Sequence, residues 1–424
     1  MRGEGTATFD SLGLAPALRR AVAELGHTAP TAIQAAAVPP ALQGRDVIGC
    51  AHTGSGKTLA FGLPLMQRLD RWRPAWRRTY ALVLVPTREL AMQVGRTLQA
   101  LATHLAEPPR VAVVFGGVSV NTQMLGLRGG AEVVVATPGR LLDLVGRNAV
   151  KLDDVELLVL DEADRLLDEG FADELGRLTA LLPPQRQALF FSATFPPAVE
   201  QLAGTLALHE PVRVDAPDTA DGGRPDITQR AIEVDEPKRT PLLRHLIGQA
   251  DWQRVLVFVA TRYATEHVAD KLRRHGIPAA AFHGELSQGA RTRVLNELQR
   301  GQLRVVVATD MAARGLHIAD LPVVVNYDLP RSPADHTHRI GRTARAGASG
   351  LAISFITPAG EPHFRLIEKR QGARVARERV EGFEPVGPGQ GAEGSAAVGT
   401  GGVKGKRKSK KDKLREAASR AARP

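Results

Sequence analysis

The run Val155-Glu156-Leu157-Leu158-Val159-Leu160 leads directly into the acidic tetrapeptide Asp161-Glu162-Ala163-Asp164. A short apolar run that ends in carboxylates predicts a buried strand whose carboxyl end carries a polar site, as in parallel sheets covered by helices. Earlier in the chain, residues 46–50 are a second strand candidate, and Ala51-His52-Thr53-Gly54-Ser55-Gly56-Lys57-Thr58 follows them. Together these stretches predict one sheet with a chemical site at its edge.

The second stretch has the composition of a phosphate-binding loop, although Ala51 stands where the general pattern has its first glycine. Gly54 and Gly56 let backbone amides approach phosphate oxygens. Lys57 brings a cation to the β and γ phosphates, and Thr58 offers a hydroxyl to Mg²⁺ at a helix N-terminus. The loop therefore predicts nucleotide binding.

The acidic tetrapeptide supplies the second half of a hydrolytic site. The buried strand delivers Asp161 to the metal, and Glu162 is placed to orient and deprotonate an attacking water. In-line phosphoryl transfer needs such a positioned nucleophile and little covalent help. We therefore expect ATP hydrolysis with Mg²⁺.

Apolar runs alternate with helix-periodic segments along the chain, which predicts an α/β protein. The strand candidates are residues 46–50, 80–85, 111–115, 132–136, 157–161 and 188–192, then 254–259, 279–282, 304–308, 323–327 and 351–356. The polar stretch 215–225 separates the two sets. We expect a first lobe over 1–214, a linker over 215–225, a second lobe over 226–372 and a flexible tail over 373–424. Each lobe should be a mostly parallel sheet covered by helices.

Further short motifs occur in a fixed order. In the first lobe they are Phe9 with Gly26-His27-Thr28-Ala29-Pro30-Thr31-Ala32-Ile33-Gln34, Pro86-Thr87-Arg88-Glu89-Leu90, Gly116-Gly117, Thr137-Pro138-Gly139-Arg140 and Ser192-Ala193-Thr194. In the second they are Val257-Phe258-Val259-Ala260-Thr261, His283-Gly284 with Gln288 and Arg291, Ala308-Thr309-Asp310, Ala313-Arg314-Gly315, and His338-Arg339-Ile340-Gly341-Arg342-Thr343-Ala344-Arg345. With these motifs the chain resembles a bacterial-type DEAD-box RNA helicase over roughly residues 9 to 370.

The resemblance implies two RecA-like lobes and local, non-processive unwinding of RNA, driven by closure of the lobes around ATP and a single strand. Two other classes stay open: an ATP-independent RNA annealer or scaffold that uses the basic tail, and a DNA-directed helicase. Proteins of ribosome assembly or RNA decay are candidate partners.

The resemblance also implies roles for individual residues. Catalysis is assigned to Lys57, Asp161, Glu162, Arg342 and Arg345, and the metal to Thr58 and Asp161. Nucleotide binding is assigned to Phe9, Gln34, Thr53, Gly54, Ser55, Gly56, Lys57, Thr58, Gly315 and His317. RNA contacts are assigned to Thr87, Arg88, Gly117, Thr137, Arg140, His283, Gly284, Arg291 and Thr309. Coupling between the two sites is assigned to Ser192, Thr194, Asp310, Arg314, His338 and Arg339.

Two of these assignments rest on a physical argument as well. A glutamine amide can pair with the N6 and N7 edge of adenine, which makes Gln34 the candidate for base choice. Arg339, Arg342 and Arg345 recur every third residue, so on a helix or turn they share a face and could converge on one anion. Phe9 has an alternative role, because a buried phenylalanine can simply anchor the N-terminal segment.

Two positions depart from the family pattern. His317 stands where the family has an aspartate that contacts the ATP ribose, so ATP affinity or coupling is in question. His336 stands where the family usually has an aromatic residue.

The charge is concentrated at one end of the chain. The net charge is +11, and residues 404–424 alone hold ten Lys or Arg against Asp412 and Glu416. The stretch 387–402 before them is rich in Gly, Ala and Ser, which predicts a flexible linker to a basic tail that anchors RNA nonspecifically. With three Trp and three Tyr, we expect no base-stacking platform. No run of 18 apolar residues and no signal-like N-terminus occur, so a cytoplasmic location is expected.

Overall fold

The computed structural model describes residues 7–51, 54–71, 77–168, 170–206, 210–215, 226–313, 321–344 and 349–386. These residues build two lobes, each with a parallel sheet at its centre. Among the described helices, none combines the length and the hydropathy that crossing a membrane would require.

The first lobe opens with a 3₁₀ helix at Phe9–Leu12. Its α-helices are α1 (Pro16–Glu24), α2 (Ala32–Leu42), α3 (Lys57–Arg71), α4 (Arg88–Ala102), α5 (Val120–Leu127), α6 (Pro138–Gly146), α7 (Ala163–Asp168), α8 (Ala172–Thr179) and α9 (Pro197–Leu206). Its strands are β1 (Val47–Cys50), β2 (Ala81–Leu84), β3 (Val111–Val114), β4 (Val133–Ala136), β5 (Leu157–Leu160), β6 (Gln187–Ser192) and β7 (Val212–Asp215). They pair in parallel in the order β3-β4-β2-β5-β6-β1-β7.

The second lobe repeats this arrangement. Its strands are β8 (Ile227–Glu233), β9 (Val255–Phe258), β10 (Ala279–Phe282), β11 (Val305–Ala308), β12 (Val323–Asn326), β13 (Gly350–Ile356) and β14 (Arg377–Glu378). Its helices are a 3₁₀ helix at Glu236–Lys238, α10 (Arg239–Gln249), α11 (Arg262–Arg274), α12 (Gln288–Gln299), α13 (Asp310–Ala313), α14 (Pro333–Ile340) and α15 (Glu361–Gln371). The parallel order is β10-β11-β9-β12-β13-β8-β14.

Both faces of each sheet are covered, as β5 shows. All four of its residues are buried. Leu157 and Val159 belong to the core on one face, and Leu158 and Leu160 belong to the core on the other. Full burial of such a side chain contributes roughly 1.5–3 kcal/mol, so these central strands hold both layers of helices in place. The predicted fold class is confirmed.

Two helices that follow strands, α4 and α11, begin at side-chain caps. The Thr87 hydroxyl accepts a hydrogen bond from the Leu90 amide at 3.3 Å where α4 begins, and the Thr261 hydroxyl accepts one from the Ala264 amide at 3.1 Å where α11 begins. Such caps satisfy amides that have no partner within the helix. Each helix therefore starts at a defined residue directly after its strand, at the edge of the sheet where the motifs lie.

The second lobe extends beyond the boundary predicted at residue 372. β14 pairs with β8, and the Arg377 guanidinium bonds the carboxylates of Glu361 at 2.9 Å and Glu368 at 2.8 Å. Phe383 packs on the core and lies 5.2 Å from the His245 ring. Residues 373–384 are therefore part of the lobe and not of a flexible tail. The remainder, from residue 385, forms a separate unit, and residues 387–424 lie outside the described part of the chain.

Candidate nucleotide and nucleic-acid site

The loop between β1 and α3 has the backbone conformation that its glycines allow. Gly54 and Gly56 have φ values of 90° and 92°, a left-handed region that side chains other than glycine rarely adopt. The Lys57 ammonium donates to the Ala51 carbonyl at 3.1 Å and lies 4.0 Å from an Asp161 carboxylate oxygen. The lysine is thus held between the loop and the end of β5, and its amine is buried.

The same loop can receive an anion and a metal. The Ser55 hydroxyl is buried and has no hydrogen-bond partner among the described residues, so a phosphate oxygen could take that place. No group of three or more His, Cys, Asp or Glu side chains in the described ranges could hold a metal by itself. Mg²⁺ that arrives with a nucleotide needs only one or two protein ligands. Thr58 and Asp161, at the start of α3 and the end of β5, fit that requirement.

Gln34 is engaged with the phosphate loop. Its side-chain oxygen accepts from the Thr31 amide at 3.1 Å, and its side-chain nitrogen donates to the Gly56 carbonyl at 3.1 Å. A Cβ at Gly56 would collide with this amide. One N–H and one lone pair of the amide are still available. Gln34 therefore positions the loop, and its reading of adenine stays a prediction.

Phe9 lies in the core of the first lobe. Its ring is 8% exposed and belongs to the same hydrophobic cluster as Leu12 and Leu18. The structure favours the anchoring role over contact with a base, which stays a prediction.

The acidic tetrapeptide places two carboxylates in different electrostatic surroundings. Burial raises the pKa of Asp161 to about 6, although the Lys57 ammonium acts to lower it. Burial also acts to raise the pKa of Glu162, but the cations of Arg165, Lys57 and Arg342 together lower it below its usual value. Glu162 is thus held ionised, as a group that accepts a proton from water must be. Its backbone has φ 54°, a strained conformation for a residue with a side chain.

Asp164 connects the tetrapeptide to the end of β6. One of its carboxylate oxygens accepts from the Thr194 amide at 3.0 Å and from the Thr194 hydroxyl at 2.8 Å. The Ser192 hydroxyl accepts from the Asp164 amide at 3.1 Å and donates to the Thr194 carbonyl at 2.8 Å. These hydrogen bonds join the two motifs into one unit, which brings together Ser192 and Thr194, two of the residues predicted to couple the sites.

Charged groups at the acidic tetrapeptide act electrostatically on the second lobe at α14. Burial lowers the pKa of His338 to about 4, with Arg165 of the first lobe acting in the same direction and Asp164 opposing it. His338 is therefore neutral near pH 7. Arg342 is 4% exposed, and its charge lowers the pKa of Glu162 across the lobe boundary. A cation from one lobe thus faces the carboxylates of the other.

Arg339 stabilises α14 on its own lobe. Its guanidinium bonds both Asp310 carboxylate oxygens, at 2.5 and 2.7 Å, and the Asn326 side chain at 3.1 Å. It also lies over the Phe258 ring, 4.9 Å from the centroid. Arg339 thus joins α13 to α14 within the second lobe, whereas the charge of Arg342 acts on Glu162 of the first lobe. Of the three arginines predicted to share one anion, Arg339 and Arg342 therefore do not act alike, and Arg345 lies outside the described residues.

His336 fills the place of the family's aromatic residue. Its ring meets the Phe364 ring edge-on at 5.9 Å, and it is 1% exposed. Its Nδ1 atom pairs with the Gln371 amide at 2.8 Å, while Nε2 is buried without a partner among the described residues. Burial, and next the Arg339 charge, lower its pKa to about 4. The imidazole is therefore packed as a neutral ring.

Strand order divides the motif-bearing edge of each sheet into two halves. In the first lobe, β1, β5 and β6 carry the phosphate loop, the acidic tetrapeptide and Ser192, and we call this the P-loop half. β2, β4 and β3 carry Thr87, Thr137 and Gly117, and we call this the distal half. In the second lobe, β12 leads into α14, which carries Arg339 and is followed by Arg342. β9, β11 and β10 form the distal half, with Thr309 and Gly284 at the strand ends. Among the described residues at the strand ends, those predicted to bind nucleotide and those predicted to bind RNA thus lie on different halves.

Two arginines predicted to contact RNA in the first lobe are placed by neighbouring groups. The Arg140 guanidinium donates to the Gln123 side chain at 2.8 Å and to the Val118 carbonyl at 2.9 Å. The Arg88 guanidinium lies against Gly117, where any Cβ would collide with it. Arg140 therefore fixes the loop after β3, and Arg88 and Gly117 share one surface.

Arg291 is placed between the lobes. Its Nε atom bonds the Glu89 carboxylate of the first lobe at 2.7 Å, and its other nitrogens donate to the carbonyls of His283 at 3.3 Å and Ala312 at 3.2 Å. Both side chains of the ion pair are buried, at 6% and 8% exposed. The structure therefore favours an interlobe role for Arg291 over the RNA contact that we predicted.

His283 is also engaged within its lobe. Its Nε2 atom pairs with the Glu266 carboxylate of α11 at 2.9 Å, and the imidazole is 7% exposed. Gly284 follows it at the end of β10. Of the predicted residues, Thr53, Arg314, Gly315, His317 and Arg345 lie outside the described residues.

Sequence reasoning missed the groups that hold the predicted ones. Arg165 pairs with Glu162 at 3.0 Å, Glu89 pairs with Arg291, and Gln123 and Glu266 hold Arg140 and His283. Arg165 had a signal, since it lies three residues after Glu162 on a helix, where side chains meet. The Glu89–Arg291 pair between the lobes could not be predicted from sequence spacing, because its members lie far apart in the chain.

A phosphate loop, a carboxylate pair at the end of a strand two places away in the same sheet and two parallel sheets define a RecA-like P-loop nucleotide-binding protein. Residues 31–202 match the family model for DEAD/DEAH box helicases, and residues 238–347 match the model for the helicase conserved C-terminal domain. The chain belongs to the DEAD-box ATP-dependent RNA helicase family.

The chain is similar to curated members of that family over most of its length. It is 39% identical to the ATP-dependent RNA helicase DeaD of Mycobacterium tuberculosis over 380 residues, which cover 90% of this chain and 66% of that protein. It is 38% identical to the DEAD-box ATP-dependent RNA helicase CshA of Bacillus cereus over 372 residues, covering 87% of this chain and 69% of that protein. The chain thus spans 66% of the length of the DeaD relative.

Solved structures of related proteins have the same fold. S. cerevisiae Dbp5 bound to RNA and ADP BeF3 matches with a TM-score of 0.76 at 32% identity, over 88% of this chain and 95% of that one. A DEAD box protein from Methanococcus jannaschii matches with a TM-score of 0.50 at 33% identity, over 88% of this chain and 99% of that one. The two relatives cover the same share of this chain at identities that differ by one percentage point, and the TM-score is higher for the relative bound to RNA and ADP BeF3.

Proposed function

We propose that this chain is an ATP-dependent RNA helicase that separates short stretches of duplex RNA or remodels RNA–protein complexes, without long-range translocation. One observation supports the proposal: in the first lobe, the phosphate loop and the acidic tetrapeptide lie on one half of the motif edge, and small, hydroxylic and basic groups lie on the other half. The family relatives named as ATP-dependent RNA helicases, and the RNA in the Dbp5 structure, support RNA as the partner.

The P-loop half would hold ATP for hydrolysis. Gly54, Ser55 and Gly56 would present backbone and hydroxyl groups to the phosphates, and Lys57 would place its ammonium beside them. Thr58 and Asp161 would hold Mg²⁺, which neutralises charge on the β and γ phosphates when it is bound.

Glu162 would orient the attacking water and take its proton, since its carboxylate is kept ionised by surrounding cations. Arg342 would stabilise the charge that develops on the γ-phosphate oxygens. Because Arg342 comes from the second lobe, hydrolysis would require the lobes to be together. That requirement makes turnover depend on anything that closes the cleft.

The distal halves would bind a single strand through its backbone. Thr87, Gly117, Thr137, Gly284 and Thr309 all follow parallel strands at the same edge of their sheets, with the cation of Arg88 beside Gly117. Groups of this kind suit phosphate and sugar oxygens and do not read base sequence. We therefore propose binding with little sequence preference from the lobes themselves.

Coupling between the halves would follow from two cross-lobe contacts. His338 and Arg342 interact electrostatically with the acidic tetrapeptide on the nucleotide side, and Glu89 pairs with Arg291 between the distal halves. ATP and RNA can each shift the lobes toward closure only as far as they bind the closed arrangement better. A strand held by both closed lobes and bent away from its complement would separate from it, and hydrolysis would reopen the cleft.

Steady-state ATP hydrolysis by the purified full chain tests the proposal. The rate is measured without nucleic acid, with structured RNA and with DNA of the same length and sequence. We expect strong stimulation by RNA alone, and loss of hydrolysis with retained RNA binding in Glu162→Gln. Equal stimulation by DNA would support a DNA-directed helicase. Strand annealing that is indifferent to ATP and to Glu162→Gln would support an annealer and overturn the proposal.

A further inference from the structure

Tyr263 is a large aromatic side chain left in solvent at the motif edge of the second lobe. It is 75% exposed, on the first turn of α11, which follows β9. The other two tyrosines of the chain, Tyr80 and Tyr327, are buried. An exposed aromatic ring at the edge where strand-binding groups collect needs an explanation, because isolated solvent contact contributes nothing to folding.

The ring is held in place. It stacks on the His267 imidazole one helical turn further on, with centroids 5.5 Å apart and an angle of 15° between the planes. A near-parallel stack fixes the orientation of the phenol and leaves its other face open. An open, oriented aromatic face is what a nucleobase needs for stacking.

An ion pair and a hydrogen bond join this helix to the loop that carries Gly284. The Arg262 guanidinium pairs with Glu285, and the Glu266 carboxylate pairs with His283 at 2.9 Å. Residues on both sides of Gly284 are therefore tied to the helix turn that carries Tyr263. A strand whose backbone meets Gly284 would pass beside this turn.

The surroundings of the ring suit a nucleotide better than an apolar protein surface. The N-terminus of α11 carries the partial positive charge of a helix dipole, and Arg262 precedes Tyr263 directly. A base stacked on the phenol would have its phosphate near these groups. The neighbouring carboxylates of Glu266 and Glu285 are each occupied by a cation or an imidazole, which limits their repulsion of the phosphate.

We propose that Tyr263, oriented by His267, is a stacking site for one unpaired base of the bound RNA, next to the nucleotides whose backbone the distal half holds. This inference rests on the proposed RNA binding and adds a base contact to it. It also revises the expectation that the chain has no base-stacking surface, which was based on the small number of Trp and Tyr.

The site is tested by equilibrium binding of single-stranded RNA to the full chain with a non-hydrolysable ATP analogue. Each nucleotide of the RNA is replaced in turn by an abasic one, and four proteins are compared: wild type, Tyr263→Ala, Tyr263→Phe and Leu366→Ala. Leu366 is the control, because it is 50% exposed on α15 of the same lobe and has no part in the site.

In wild type, we expect loss of one particular base to weaken RNA binding by about fivefold to tenfold. This factor is at the lower end of the range that one base stacked on an aromatic side chain contributes to affinity. Tyr263→Ala should bind intact RNA more weakly by a similar factor and lose nothing further when that base is removed, because the two changes delete the same contact. Tyr263→Phe and Leu366→Ala should behave as wild type.

The proposal is overturned if the Tyr263→Ala variant binds intact RNA as tightly as wild type does. It is also overturned if the substitution lowers the affinity for intact RNA and for every abasic RNA by the same factor, whichever nucleotide is abasic. Those results leave RNA-stimulated hydrolysis by wild type intact, so they would refute the stacking site alone. A wild-type chain that neither binds RNA nor is stimulated by it would refute the proposed function together with the site.

Discussion

At the scale of single residues, the charge on Glu162 depends on a group from the other lobe. Arg342 is buried, and its guanidinium helps to keep the Glu162 carboxylate ionised. In the proposed mechanism the same guanidinium would also stabilise charge on the γ-phosphate. One side chain would then affect both the group that accepts the proton and the group that is transferred.

Replacing Arg342 by alanine should lower the maximal rate of RNA-stimulated ATP hydrolysis by about 10³-fold or more, the effect of arginine fingers in related phosphoryl-transfer systems. Nucleotide affinity should stay within a few fold, because the charge that Arg342 meets develops in the transition state. Turnover numbers and nucleotide binding are measured separately. Arg370→Ala, which removes an exposed arginine from α15, is the control. Retained turnover in Arg342→Ala would refute the role.

The buried imidazole of His336 should make the free energy of unfolding depend on pH. Its pKa is lowered to about 4, below the ordinary value of 6.5 that it regains on unfolding. The unfolded chain therefore binds more protons between these values, and the free energy of unfolding falls as the pH falls through that window. By pH 5 the loss from this group is about 2 kcal/mol relative to pH 8.

In His336→Phe, the ring that packs on Phe364 is kept and the proton-binding site is removed. The difference in unfolding free energy between pH 8 and pH 5 should shrink by about 2 kcal/mol relative to wild type. Urea unfolding of both proteins at the two pH values measures this. His338 titrates in both proteins, so it cancels in the comparison. An unchanged pH dependence would show that His336 does not titrate as the structure implies.

At the scale of helices and strands, continuous apolar runs were enough to predict the central strands. β5 and β9 lie within the predicted segments because all their residues are buried and apolar. β7, β8 and β14 were not predicted, because they lie at or near the sheet edge and carry charged residues such as Arg213, Arg230 and Arg377. Edge strands are identified by their partners, which a sequence pattern does not contain.

The segment that carries β14 should stabilise the second lobe. Arg377 joins α15 to β14 through Glu361 and Glu368, Arg230 pairs with Glu378 at 2.7 Å, and Phe383 covers part of the core. Hydrogen bonding to Glu368 raises the pKa of Arg377, despite the opposing effect of burial. These contacts are partly buried, so they are worth more than ordinary surface ion pairs.

A chain that ends at residue 372 should therefore unfold at a lower temperature than one that ends at residue 386, by several degrees if the segment contributes about 2 kcal/mol. The chain that ends at 386 should match the full-length chain, because it keeps every described contact of the segment. Thermal unfolding of the three proteins is the measurement. Equal midpoints for the chains ending at 372 and 386 would show that the segment contributes nothing to the lobe.

The candidate site divides in the same way between what sequence can and cannot predict. The phosphate loop and the acidic tetrapeptide were identified because their chemistry requires particular residue types at fixed spacing. The roles of Gln34, Arg140 and Arg291 were incomplete, because each guanidinium or amide has several possible partners. Which partner it meets is decided by the packing of elements far apart in the chain.

At the scale of the whole molecule, the Glu89–Arg291 pair is the buried charge contact between the distal halves. Both charges are nearly solvent-free in this arrangement, and opening the cleft would return them to water. Breaking a buried pair by removing one partner costs about 3–5 kcal/mol when the other charge stays buried. In the proposed cycle the lobes separate, so the cost should fall on closure and not on the folding of either lobe.

Neutralising either member should therefore raise the RNA concentration needed for half-maximal ATP hydrolysis by about tenfold or more, with little change in thermal unfolding. Glu89→Gln, Arg291→Gln and the double variant form a cycle, and Asp173→Asn, an exposed carboxylate on α8, is the control. The double variant should be less impaired than the sum of the single ones, because the pair acts as a unit. Strict additivity would show that the pair does not contribute to closure. A lowered unfolding midpoint in Glu89→Gln would place its role within the first lobe instead.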